Sequence, residues 1–102
     1  MANFVSVARV DEIAPGTARQ VAVGGKALAV YNVDGSFYCT DGVCAHRGGP
    51  LGEGDLSGAT VTCPWHGWEY DVTTGVNTMN PDVKLACHPV TVEDGQIKVS
   101  ID

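Results

Sequence analysis

The chain has 102 residues, 44% of them hydrophobic, and a single domain over residues 1–102 is the expected way to bury them. Twelve acidic against six basic residues give a formal net charge of -6, which argues against nucleic acid and anionic membranes as partners. With no basic leader, no apolar run of bilayer length and four cysteines better explained as thiols or metal ligands than as disulfides, we expect a cytoplasmic protein.

Short segments rich in Val, Ala, Tyr and Thr, separated by glycines and prolines, predict an all-β protein. No segment shows a convincing helical period. Gly24-Gly25, Asp34-Gly35 and Asp94-Gly95 have the composition of tight turns between neighbouring strands. The predicted strands cover residues 4–10, 18–23, 26–33, 36–40, 60–63, 68–72, 89–93 and 96–101.

Two stretches interrupt the strand pattern. Residues 41–59 contain six glycines with little alternation of polar and apolar residues, and residues 77–82 contain Asn80-Pro81. A stretch this rich in glycine needs contacts with a ligand or with other residues to adopt one conformation. We expect both stretches to be loops at one end of the sheet, because binding groups tend to collect on loops of a rigid scaffold.

Metal-binding residue types occur in two pairs, and the first pair lies in residues 41–59. Cys44-x-His46 and Cys63-x-x-His66 each combine one thiolate and one imidazole, and glycines and prolines beside them place both pairs in turns. Two thiolates and two imidazoles suit either tetrahedral zinc or an iron-sulfur centre. A zinc finger usually takes its histidines from one helix, whereas here each turn supplies one ligand of each type. That mixture favours a dinuclear cluster with the cysteines on one iron and the histidines on the other, and a zinc-stabilised interaction module remains the alternative.

The residues around these pairs resemble a known family. Cys44-Ala-His46-Arg-Gly-Gly-Pro-Leu together with Cys63-Pro-Trp-His66-Gly-Trp-Glu-Tyr70-Asp is similar to the two cluster-binding loops of Rieske proteins, and most similar to the short ferredoxins of bacterial ring-hydroxylating dioxygenases. The resemblance implies a Rieske-like antiparallel β-sandwich with a loop-rich cluster-binding subdomain at about residues 41–82. It also implies one 2Fe-2S cluster bound by Cys44, His46, Cys63 and His66.

The function implied by the resemblance is electron transfer. The chain would be a soluble monomer that carries one electron at a time from a flavin-dependent reductase to a Rieske non-haem iron oxygenase, and not itself an enzyme. In agreement, it contains no Gly-x-Gly-x-x-Gly fingerprint of a flavin or nicotinamide site, and only His88 would be left for a second iron. The alternative is a small Rieske-like subunit of a larger oxidoreductase such as a nitrite reductase.

Departures from the family pattern bear on the reduction potential. Gly49 and Trp65 stand where the Rieske proteins of respiratory complexes carry a pair of disulfide-forming cysteines. Trp68 stands where high-potential members place a hydroxyl donor, and Tyr70 keeps the position of a second such donor or is an ordinary core residue. We therefore expect a midpoint in the lower part of the Rieske range of about -150 to +300 mV.

The resemblance further implies that His46 and His66 face solvent and form the electron port. We predict that Cys39 and Cys87 are small buried apolar residues and that His88 is a strand-edge residue. An apolar rim around the port is predicted from Pro50, Leu51, Trp65 and Pro81.

Overall fold

The computed structural model describes residues 4–44, 49–65 and 67–100. Within these residues ten strands and two short 3-10 turns, Val10–Glu12 and Leu51–Glu53, confirm the predicted all-β class. No helix in the described ranges is long and apolar enough to cross a membrane. The strands are β1 (Phe4–Arg9), β2 (Thr17–Val23), β3 (Lys26–Val33), β4 (Ser36–Asp41), β5 (Asp55–Ser57), β6 (Thr60–Thr62), β7 (Glu69–Asp71), β8 (Cys87–His88), β9 (Val90–Glu93) and β10 (Gln96–Ser100).

The strands form three antiparallel sheets. The outer sheet has the order β1-β10-β9, the central sheet β2-β3-β4-β8 and the small sheet β5-β6-β7. The three predicted turns Gly24-Gly25, Asp34-Gly35 and Asp94-Gly95 join neighbouring strands, and both residues of each turn have positive φ. That conformation matches the right-handed twist of a hairpin, and glycine adopts it without strain.

Strand β3 is buried on both faces, which places the central sheet between the other two. Leu28 and Val30 point to one side, and Ala29 and Tyr31 to the other, as strand geometry requires. The first pair packs with Ala8, Ile97 and Val99 of the outer sheet, and the second with Val61, Tyr70 and Val72 of the small-sheet side. The outer and central sheets thus form the predicted sandwich, and the second core lies on the reverse side of β3.

Two strands were missed by the sequence prediction. Residues 41–59 were predicted as a loop, but β5 lies within them and pairs with β6. Its sequence, Asp55-Leu56-Ser57, has a single apolar residue, so only pairing with its neighbour reveals it. Strand β8 pairs with β4 and is separated from β9 by Pro89, which has no N–H for a ladder and ends the pairing.

The second irregular stretch, residues 77–82, lies beside β7. The backbone N–H of Thr78 donates to the carbonyl of Glu69 at 3.0 Å. Asn77 is buried, and its side-chain oxygen accepts hydrogen bonds from the backbone N–H groups of Met79 and Asn80. This asparagine therefore shapes a loop next to the strand that follows the second ligand pair.

Candidate metal centre

Cys44, the described ligand of the first pair, lies in two antiparallel arms, residues 42–44 and 49–52, which form the first ligand hairpin. The backbone N–H of Leu51 donates to the carbonyl of Gly42 at 3.0 Å, and that of Cys44 donates to the carbonyl of Gly49 at 2.9 Å. These bonds hold the two arms of the hairpin together and fix the backbone at Cys44. His46, predicted as the second ligand of this pair, lies outside the described residues.

Cys63, the described ligand of the second pair, lies between β6 and β7. The backbone N–H of Cys63 donates to the carbonyl of Trp68 at 2.7 Å, which closes the turn directly at the cysteine. Gly67 has a φ of +74°, a conformation that residues with a side chain rarely adopt, and it reverses the chain there. His66, the predicted ligand before this glycine, lies outside the described residues.

The fold brings the two cysteines together, although 18 residues separate them in the sequence. Both residues are only 2% exposed, and their thiols lie within hydrogen-bonding reach of each other. Burial raises the pKa of the Cys63 thiol; a hydrogen bond from the backbone N–H of Trp65 opposes the shift, and the neighbouring Cys44 reinforces it. A bound cation would compensate the buried negative charge and displace the protons, as in a metal site.

A tyrosine hydroxyl lies next to one of the two sulfurs. The side-chain oxygen of Tyr70 is 3.4 Å from Sγ of Cys44, and the whole residue is buried. A deprotonated Cys44 can only accept a hydrogen bond, so the hydroxyl is the donor whenever Cys44 serves as a metal ligand. Tyr70 is therefore both a core residue and a neighbour of the sulfur, the two roles that the sequence left open.

Gly49 and Trp65, the positions of the missing disulfide, lie against each other. A Cβ placed on Gly49 would be 2.7 Å from Sγ of Cys63 and 3.1 Å from Cγ of Trp65. The absence of a side chain at Gly49 thus leaves room for the Cys63 sulfur. The indole of Trp65 lies over this backbone and remains 49% exposed.

The predicted apolar rim needs one correction. Pro50 is half-buried, and Trp65 and Pro81 are exposed, but Leu51 is fully buried. Leu51 begins a 3-10 turn and packs in the second core beside Tyr31. It is therefore a core residue, and no part of a docking rim.

Cys39 and Cys87, the two cysteines outside the proposed ligand set, differ in burial. Cys39 is 2% exposed as predicted, and burial raises the pKa of its thiol to about 12. The prediction that Cys87 is buried was wrong, because Cys87 is exposed on the two-residue edge strand β8. His88 on the same strand confirms the predicted edge position, and its Nε2 lies 2.9 Å from Oδ1 of Asp41.

A polar side chain that the sequence patterns do not mark contacts the first ligand loop. Gln20 on β2 is half-buried, and its amide bonds to the backbone of both Gly42 and Gly52. No local signal marks this glutamine, since polar residues in a strand ordinarily face solvent.

The described donors fit an iron-sulfur centre. Two buried thiols lie side by side, and an N–H and an O–H are placed to donate to their sulfurs, as iron-bound thiolates require. Within the described residues, the two cysteines account for the thiolate half of the predicted ligand set.

A protein-family model described as the Rieske [2Fe-2S] domain matches residues 3–89, and the chain belongs to this family. Its cofactor is accordingly one Rieske-type 2Fe-2S cluster. The chain is 38% identical to the ferredoxin component of the p-cumate 2,3-dioxygenase system of Pseudomonas putida, covering 99% of this chain and 88% of that protein. It is 33% identical to the ferredoxin component of the naphthalene 1,2-dioxygenase/salicylate 5-hydroxylase systems of a Ralstonia species, covering 98% and 97%.

A solved structure is similar along nearly the whole chain. It is described as a complex of reduced oxygenase and oxidized ferredoxin in carbazole 1,9a-dioxygenase. The match has a TM-score of 0.86 and 36% sequence identity, and covers 95% of this chain and 92% of that chain. The fold is therefore that of a Rieske ferredoxin, and the relatives carry the names of electron carriers rather than of catalytic components.

Proposed function

We propose that this chain is the ferredoxin component of a ring-hydroxylating dioxygenase system and passes one electron at a time to a terminal Rieske non-haem iron oxygenase. The observation that carries the proposal is the buried pair of cysteine thiols with donors beside it, in a chain of the Rieske [2Fe-2S] domain family. Relatives covered almost from end to end are named ferredoxin components, which favours a carrier over a subunit of a nitrite-reductase-like enzyme.

The ligands we propose are Cys44, His46, Cys63 and His66, with the thiolates on one iron and the imidazoles on the other. A bound cluster accepts and releases one electron. Two neutral imidazoles in place of two anionic thiolates make the site less negative, so the added electron meets less repulsion and the midpoint lies above that of all-cysteine clusters. The chain's own residues contribute burial of the sulfurs and the donors that stabilise negative charge on them.

We further propose that residues 41–82 form the cluster-binding part of a single domain over residues 1–102. Support comes from the second core, in which Cys44 and Cys63 pack with Leu51, Val61 and Tyr70. One compact set of contacts thus joins the hairpin, the small sheet and the reverse side of β3. Movement of Cys44 or Cys63 would disturb this core, so the backbone at these two cysteines and the core are expected to be ordered together.

A flavin-dependent reductase is the proposed electron donor, and the carrier is proposed to act as a cytoplasmic monomer. The chain has no flavin or nicotinamide motif, so its electrons must come from another protein. For the acceptor, support comes from the similar ferredoxin that is found in complex with an oxygenase. Trp65, half exposed and adjacent to Cys63, offers an apolar contact near the proposed cluster.

The test is purification without oxygen, followed by iron and acid-labile sulfide assays and low-temperature EPR of the reduced protein. Two irons and two sulfides per chain, with a rhombic signal of low average g, are expected. Cys63→Ser should abolish the signal, whereas Cys87→Ser, a change at an exposed cysteine on β8, should retain it. A colourless protein with one bound zinc would refute the proposal, and stoichiometric co-purification with a large reductase would favour the subunit alternative.

A further inference from the structure

A single side chain joins the two ends of the first ligand hairpin to the central sheet. Nε2 of Gln20 donates to the carbonyl of Gly42 at 2.9 Å, and the backbone N–H of Gly52 donates to Oε1 of Gln20 at 2.8 Å. Gly42 lies two residues before Cys44, and Gly52 follows the second arm of the hairpin. One amide group therefore bonds to both strands at the base of the loop that carries a proposed ligand.

The chemistry of the two backbone groups determines the orientation of this amide. The N–H of Gly52 can only donate and the carbonyl of Gly42 can only accept, so the Gln20 oxygen must face Gly52 and its nitrogen Gly42. Glutamate would place a second acceptor against the Gly42 carbonyl, and leucine would offer neither a donor nor an acceptor. Only a carboxamide satisfies both groups at this position.

At Gly42 and Gly52 the loop approaches the central sheet too closely for larger residues. A Cβ placed on Gly52 would collide with the backbone N and Cα of Gln20, and one placed on Gly42 would lie 2.8 Å from the carbonyl carbon of Leu28. The two glycines thus allow the hairpin base to lie directly on the sheet, within reach of the amide. Strand β2 is in turn held along its length by pairing with β3, from Thr17 to Val23, so the anchor is rigid.

We propose that Gln20 is a positioning residue for the cluster. It fixes the base of the first ligand hairpin, at Gly42 and Gly52, on the central sheet and thereby fixes Sγ of Cys44 relative to the Tyr70 hydroxyl and Cys63. The carbonyl of Gly42 also accepts from the N–H of Leu51, so loss of the amide would loosen a junction where both arms of the hairpin meet. This inference rests on the proposed function, because Cys44 is a proposed ligand.

The test compares Gln20→Leu and Gln20→Glu with Gln96→Leu and Gln96→Glu in the cluster-loaded protein. Gln96 is an exposed glutamine on β10 of the outer sheet and serves as the matched control. For the Gln20 variants we expect about tenfold faster deuterium uptake in peptides containing Leu51 and Gly52, because their N–H groups donate to the Gly42 carbonyl and to Gln20, and these bonds are weakened or lost. We also expect about tenfold faster bleaching of the cluster and shifted EPR g values, with both Gln96 variants like wild type.

The EPR lines distinguish positioning from mere structural support, because a change in the surroundings of Cys44 alters them at full cluster occupancy. Wild-type g values and bleaching rates in Gln20→Leu, even with a lowered melting temperature, would overturn the inference while leaving the proposed function intact. A wild-type protein without iron and sulfide would instead overturn both.

Discussion

Replacing Tyr70 by phenylalanine is the sharpest test of how the protein tunes its cluster. The residue is fully buried, and its hydroxyl lies 3.4 Å from Sγ of Cys44. Tyr70→Phe keeps the ring and its packing and removes only the oxygen. The substitution therefore separates the hydrogen bond to the sulfur from the contribution of the ring to the core.

The direction of the expected midpoint shift depends on where the added electron resides. Reduction makes the cluster and its thiolates more negative, so a donated hydrogen bond stabilises the reduced state more than the oxidised state, and its loss lowers the midpoint. A hydrogen bond to a charged group contributes about 1.5–3 kcal/mol. If a third to a half of this differs between the two states, the shift is roughly 20–60 mV, since tenfold corresponds to about 59 mV for one electron.

Protein-film voltammetry or an EPR-monitored redox titration at pH 7 measures this shift. Tyr31→Phe is the matched control, because Tyr31 is equally buried in the same core and its hydroxyl lies 2.9 Å from Oγ1 of Thr40 instead of a cysteine. Both variants should lose some stability, and only Tyr70→Phe should lower the midpoint. Equal midpoints for the two variants would refute the role of the Tyr70 hydroxyl.

Three further predictions concern the surroundings of the site. Gly49→Ala should lower the iron content at least severalfold, because the added Cβ would press on the Cys63 sulfur. The control Gly35→Ala adds a Cβ in open space at a turn residue with positive φ, so it should cost about 1 kcal/mol of stability and keep the cluster. Trp65→Ala should raise severalfold the ferredoxin concentration that gives half-maximal oxygenase turnover, whereas Phe4→Ala, an exposed aromatic on the outer sheet, should not. Cys39→Ala should reduce the loss of unfolding free energy between pH 8 and pH 10 by about 1.4 kcal/mol, measured by urea unfolding.

The alkaline prediction follows from the direction of the thiol shift. Burial raises the pKa of Cys39 from 9.0 to about 12 in the folded protein. Above pH 9 the unfolded chain therefore binds fewer protons at this residue than the folded chain does. Its contribution is fully present below pH 9 and is lost as the pH rises toward 12. The prediction for Cys39→Ala would be wrong if this variant lost as much unfolding free energy between pH 8 and pH 10 as the wild type. A wild-type iron content in Gly49→Ala would contradict the prediction for Gly49, and wild-type oxygenase turnover with Trp65→Ala would contradict the prediction for Trp65.

Features that depend on neighbouring residues were predictable from the amino-acid sequence. The turns at Gly24-Gly25 and Asp34-Gly35 were predictable because positive φ at two consecutive positions favours glycine and, to a lesser degree, aspartate. Strand β3 was predicted with its observed limits because its apolar run is bounded by those two turns. The proposed ligand motif was likewise visible because each pair of metal-binding residues lies within four positions.

Features that depend on contacts between distant residues became visible in the folded protein alone. Leu51 follows Gly-Gly-Pro and reads as part of an exposed loop, yet its turn packs into the second core against β3. Cys39 and Cys87 look alike in the sequence, but one is buried between sheets and the other lies on an edge strand. Gln20 meets Gly42 and Gly52 across 22 and 32 residues. The burial of these residues and their hydrogen-bond partners depend on which strands become neighbours. Local residue patterns carry no information about such contacts, because the contacts form between residues that are far apart in the sequence.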